Sequence, residues 1–196
     1  MSKSTKIIAA LGVVAGIGVA ALPLSTFAAN TADVTVKVMI GEQLSLSMDL
    51  AASDTEQTMT ASEIKTDEMK STAKVSTNHA AGYTLTVIDK DTNTALVNES
   101  NPSATIPAIA VEGALSSGTA AWGLQVDSAY PGTTISTAQW SPIPASTSTA
   151  LVVRNSGALA TAVSDEASVV KYGVSTAAGQ ASGTYSDIIT YTVTAN

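Results

Sequence analysis

The chain has 196 residues, 45% apolar, 4% aromatic and 13% charged, with 9 Lys and Arg against 16 Asp and Glu, a single His and no Cys. Its formal charge of −7 repels phosphates and anionic lipid, which sets nucleic-acid binding aside. The lack of cysteine excludes thiol chemistry and a disulfide scaffold, so burial and hydrogen bonding must hold the fold.

Lys3 and Lys6 precede an apolar and small-residue run from Ile7 to Leu22, which Pro23 breaks ahead of Thr26-Phe27-Ala28. A positive start, an apolar stretch and a small-x-small site predict a helical signal peptide over residues 1–28, cleaved after Ala28. The run is rich in Gly and Ala, marginal for the roughly 20 residues a bilayer needs, and lacks a basic stop-transfer flank, so the membrane is expected to matter only during export. What remains is one secreted or cell-surface domain, 29–196, with 7 basic and 16 acidic residues and a formal charge of −9. That length suffices for one core.

From Val34 the positions Val34, Val36, Val38 and Ile40 are apolar, and after Gly41 the same phase resumes at Leu44, Leu46, Met48 and Leu50, predicting two strands bent about Gly41-Glu42. Residues 51–72 are mixed and polar and read as a long loop or one short helix. Lys74–Asn78 is expected as a strand, turned by His79-Ala80-Ala81-Gly82 into a second strand with Tyr83, Leu85 and Val87 on one face, a hairpin whose Gly can take positive φ. Asp89–Asn93 turns the chain into Ala95–Val97, and Ile106–Val111 and Trp122–Val126 follow as strands. Pro142 and Pro144 predict edge or loop over 135–148. Short strands are then expected at Ala150–Arg154, around Val170–Val174, and along Tyr185–Thr194. Strands recurring every 8 to 12 residues or so predict an all-β fold, an antiparallel β-sandwich of immunoglobulin-like or Greek-key type, after the signal helix.

Chemistry is sparse. His79 lies in a predicted turn, where a solvated role outweighs a catalytic one. No serine stands in a Gly-x-Ser-x-Gly elbow, and the aromatic supply is thin for a glycosidase, so no catalytic residue and no enzyme is expected. Asp89-x-Asp91-x-Asn93 offers alternating oxygens of the kind that wrap Ca²⁺. Thr94 stands where such a loop needs Gly, however, and Ser100 where it needs a bidentate Glu, which weighs toward an Asx-rich turn and no cofactor. Trp140, flanked by Gln139 and Ser141 and close to two prolines, is the candidate sugar-stacking platform, with Tyr130 beside the Pro131-Gly132 turn as its companion; Trp122 shares the phase of Leu124 and Val126 and reads as core. The segment Asn30–Ile40 has two readings. It is either the first strand of its own sandwich or a detachable strand that completes a neighbour's sheet through Val34, Val36, Val38 and Ile40.

Gly82-Tyr83-Thr84-Leu85-Thr86 and the run Gly183-Thr184-Tyr185-Ser186-Asp187 through Tyr191-Thr192-Val193-Thr194 resemble the two signature strands of WxL-type bacterial cell-surface proteins, with Tyr83 and Tyr191 in place of both signature tryptophans. The resemblance implies an exported β-rich protein that associates non-covalently with the cell wall and assembles surface complexes. The terminal strand is also similar to those of secreted pilin and spore-coat-like sandwiches. Together these readings predict a non-catalytic surface protein with a structural or adhesive role, its partners a cell-wall polymer, other surface proteins or itself. The alternative is a small carbohydrate or cell-wall-glycan binding module.

Overall fold

Tyr83, Leu85 and Val87 are fully buried, as their alternation requires, and they sit in the middle of a ten-strand, all-β architecture. The structure is a computed structural model that describes residues 37–49 and 56–196; the signal segment, Ala28, Val34, Val36 and residues 50–55 lie outside the described residues. Residues 40–196 form one unit. Ahead of it Lys37, Val38 and Met39 are described, outside any strand.

One sheet contains β1 (Leu44–Asp49), β2 (Ile64–Thr77), β6 (Ala121–Val126) and β8 (Val163–Ser175), in the order β1-β2-β8-β6. A second has β3 (Tyr83–Asp89), β7 (Leu151–Asn155) and β10 (Ile189–Ala195), ordered β10-β3-β7. A small third sheet, β5-β4-β9, joins β4 (Leu96–Asn98), β5 (Thr105–Ile106) and β9 (Tyr185–Ser186). All strand pairs are antiparallel. The two larger sheets close over one core, to which β2, β6 and β8 contribute Val75, Trp122, Leu124, Val126 and Val170, and β3 and β7 contribute Tyr83, Leu85, Val87 and Val153. The inward residues follow the two-residue period of a pleated strand with one wet face.

Four expectations need correction. The predicted hairpin does not form: the chain from β2 to β3 crosses from one sheet to the other, so β2 pairs with β1 and β8 while β3 pairs with β10 and β7. The turn itself is tight, with the Gly82 N–H donating to the His79 carbonyl at 3.0 Å and Gly82 at φ +85°. The supposed loop or helix before Thr72 is in part strand, because β2 begins at Ile64. An irregularity between Lys65 and Met69 breaks the alternation there, and Ser71 and Thr77 face inward, so the apolar signal fades while the ladder continues. Residues 37–43 are not strand, and 187–188 mark a real break, since β9 and β10 belong to different sheets.

The two ends of the sandwich differ. On one side β6 exchanges hydrogen bonds with Ser141, and its Trp122 with Pro107 and Ile109, while β7 is covered by Pro131 and Thr134. On the other side, β1 and β10 lie next to each other, and among the described residues no backbone partner adds to the outer edge of either.

Candidate functional site

The sugar platform expected at Trp140 is overturned. Trp140 is only 8% exposed. Its backbone exchanges hydrogen bonds with Gly113 at 2.9 and 3.0 Å, and its indole lies against Gly173 of β8, where an added Cβ would come within 2.7 Å of the ring. The prolines do not loosen this segment; it is drawn down over β6, and a glycine on the neighbouring strand makes the slot that receives the indole. Tyr130 is engaged on both counts. Its hydroxyl donates to Asp127 Oδ1 at 2.5 Å and accepts the Val169 N–H at 2.8 Å, and its ring face carries the Arg154 guanidinium at 4.4 Å. The face that carries the guanidinium is closed to a sugar. Trp122 is core, as its phase predicts, with Nε1 donating to the Thr94 carbonyl at 2.8 Å.

The acidic turn is wound on itself. Asp89 Oδ1 accepts the Asp91 N–H at 2.8 Å, Asp91 Oδ1 accepts the Asn93 N–H at 2.6 Å, and Asn93 Oδ1 accepts the Ala95 N–H at 3.4 Å. Each is the Asx pattern of a side chain capping the backbone two residues on. Among the described residues no group of three or more His, Asp or Glu side chains is arranged to hold a metal ion. His79 is half-buried instead of solvated, with Nε2 3.6 Å from Glu42 Oε1.

Two polar networks escaped sequence reasoning. Arg154, on β7, crosses to β8, where Nη1 pairs with Glu166 Oε1 at 2.5 Å and Nη2 donates to the Ala167 carbonyl at 3.1 Å. Glu166 Oε2 accepts the Tyr83 hydroxyl at 2.5 Å. Burial, and then the carboxylate, push the Tyr83 phenol well above its usual range, and burial with the Asp127 carboxylate pushes Tyr130 up to about 12. Separately, the hydroxyls of Ser71, Tyr172 and Tyr191 form a triangle with sides of 2.9, 2.7 and 2.7 Å, in which each group can donate once and accept once. Burial raises both of these tyrosines. Arg154 was the one arginine in an otherwise apolar strand, and that was the available signal. Both networks pair buried groups between the sheets, although Arg154 Nε is buried without a partner. Their hydroxyls and charges are spent on one another, which suits them to fastening the sandwich.

The remaining candidate is the apolar run before β1. Val38, Met39 and Ile40 are 79, 97 and 81% exposed. Large apolar side chains in sequence at that exposure forgo burial that would stabilise each by about 1.5–3 kcal/mol, and contiguous exposed apolar surface marks an interaction site.

No protein family, no characterised protein and no solved structure matches the chain.

Proposed function

We propose that this is an exported, non-catalytic bacterial surface protein with a structural or adhesive role, acting as a subunit of a surface polymer. The observation that carries this reading is the exposed run Val38-Met39-Ile40 in a protein whose sandwich is capped along β6 and β7, while among the described residues no backbone partner lies along the outer edges of β1 and β10. An extended segment with apolar residues at every second position is the kind of ligand that adds to such an edge: its backbone continues the ladder while alternate side chains enter the groove between the sheets. In the assembly, Val34, Val36, Val38 and Ile40 of one subunit lie along the β1 and β10 side of the next. A subunit with one donor segment and one acceptor edge makes a head-to-tail contact, which grows into a filament when the rotation does not close a ring. The resemblance to WxL-type surface proteins supports the same placement, and non-covalent retention at the wall follows from it.

The glycan-binding alternative loses its support with the burial of Trp140 and the covering of Tyr130. The test is deletion of residues 29–40 from the secreted chain, followed by electron microscopy and light scattering with a melting curve alongside. Loss of polymer with a cooperative, folded monomer is expected. A deletion that unfolds the monomer, or a full-length chain that stays monomeric at high concentration, overturns the proposal.

A further inference from the structure

Asp89 closes β3 and Asp187 stands between β9 and β10, and the antiparallel register brings them together. Asp89 is the cross-strand partner of Ile189, two residues beyond Asp187, and the Lys90 N–H donates to the Ile188 carbonyl at 2.9 Å. Asp89 is fully buried. One oxygen of each carboxyl has a donor: Asp89 Oδ1 takes the Asp91 N–H at 2.8 Å, and Asp187 Oδ1 the Ile188 N–H at 2.7 Å. The other oxygen of each, Oδ2, is shut away from water with no donor. The register and the Lys90–Ile188 hydrogen bond set the two carboxyls beside one another, near enough that the Asp89 carboxylate raises the Asp187 carboxyl. Two carboxylates so placed repel, and burial makes the repulsion expensive, so the charge must be relieved by something between them.

Among the described residues nothing else nearby relieves it. Asp91, on the same turn, adds negative charge, Lys90 is exposed, and Glu99, just past β4, accepts the Ser186 hydroxyl at 3.2 Å. The loop 144–148, whose Pro144 carbonyl accepts the Asp89 N–H at 3.0 Å, brings no titratable group, and β10 brings only Tyr191, held in the hydroxyl triangle. A divalent cation would neutralise the pair, but Ca²⁺ takes about six to eight oxygens, and no third His, Asp or Glu side chain completes a ligand group among the described residues. A proton needs only two oxygens, and each carboxyl has one buried oxygen without a donor.

We propose that Asp89 and Asp187 hold one proton in common through their Oδ2 atoms, and that this proton fastens the β3–β4 turn to the β9–β10 junction, making the fold sensitive to the pH of its surroundings. Burial first, then the Asp89 and Asp91 carboxylates, push the Asp187 carboxyl up to about 7, against the opposing Ile188 N–H. A folded-state value above the unfolded one near 4 means the native chain holds the extra proton. The stabilisation is complete below about pH 4 and is lost as pH rises through about 7. A surface protein built this way is tightest in an acidic setting and loosens its terminal strand above neutrality.

Melting temperature between pH 4 and 8.5 tests this in the full secreted chain, for the wild type, Asp187→Asn and Asp89→Asn. Either asparagine supplies an amide N–H to the opposite Oδ2 at every pH, while its carbonyl oxygen still accepts the backbone N–H, of Asp91 or of Ile188, that the carboxylate accepted. Relative to either variant the wild type is expected to lose about 5 °C across this range, and Asp187→Asn to melt above it at pH 8. Parallel curves for wild type and variants overturn the proposal. So does a rise in the wild-type melting temperature on adding millimolar Ca²⁺ at pH 8 that Asp187→Asn abolishes, since the pair would then be a cation site. If a variant fails to fold, carboxyl carbon NMR of the wild type decides. A shared proton gives two coupled steps, the upper near neutrality, whereas two independent titrations near pH 4 overturn it.

Discussion

Arg154→Met removes a guanidinium that touches three partners across the two main sheets, and the structure allows its cost to be worked out. The arginine side chain is 10% exposed and Glu166, its ion-pair partner at 2.5 Å, is 33% exposed. Losing one partner of a fully buried pair costs about 3–5 kcal/mol, because the other charge is stranded. Here Glu166 keeps some water and the Tyr83 hydroxyl, which lowers the loss, while the Ala167 carbonyl and the Tyr130 ring also lose contacts worth roughly 1 kcal/mol each. The expected sum is about 3 kcal/mol, or roughly 6–12 °C in melting temperature for a chain of this size. Urea denaturation followed by far-ultraviolet dichroism measures it directly, provided the slope with denaturant is unchanged. Adding Glu166→Gln to the arginine variant removes the stranded charge, so the double variant should lose less than the sum of the two singles by about 1–2 kcal/mol. A single-variant loss below about 1 kcal/mol, or strict additivity, would refute the claim that this pair fastens the sheets.

Gly82→Ala tests the turn that carries the chain between sheets. The residue has φ +85°, and a Cβ there would sit 1.8 Å from the Gly157 carbonyl oxygen, so backbone must move; a loss above about 3 kcal/mol is expected in the same urea assay, and a near-neutral result would mean the turn is built differently. Alkaline titration of phenol absorbance reads the tyrosines. Burial holds Tyr83, Tyr130, Tyr172 and Tyr191 above the ordinary value of 10, so their contribution to stability is complete below pH 10 and lost as pH rises beyond it. Four of the five tyrosines should ionise together with the loss of β dichroism, and ionisation of all five at pH 10 in a folded chain would contradict the two networks.

Much of the core was legible because a half-buried strand writes its two-residue period into the chain. Tyr83, Leu85 and Val87, and Trp122, Leu124 and Val126, are all buried where their alternation placed them. The signal failed where inward positions are polar, as at Ser71 and Thr77 of β2, and where a break interrupts a long apolar pattern, as between β9 and β10. The candidate sites fared worse. Trp140 looked exposed because polar residues flank it and two prolines follow, yet the slot over Gly173 that buries it is made by a strand more than thirty residues away in sequence. The oxygens of Asp91 and Asn93 looked free to bind an ion, yet the backbone of their own turn consumes one from each.

Composition, charge and alternation by themselves determined that this is a cysteine-free, acidic, all-β chain with one wet and one dry face to most of its strands, because those properties depend only on neighbours along the chain. Which strands pair, which edges are capped and which are bare, and which charges meet were decided by tertiary structure alone. The crossing from β2 to β3 parts neighbouring strands into different sheets, and the Arg154–Glu166 pair and the meeting of Asp89 with Asp187 join residues on separate strands. Burying a polar group is tolerable only where a partner happens to be delivered, and that delivery is a property of the packed sheets.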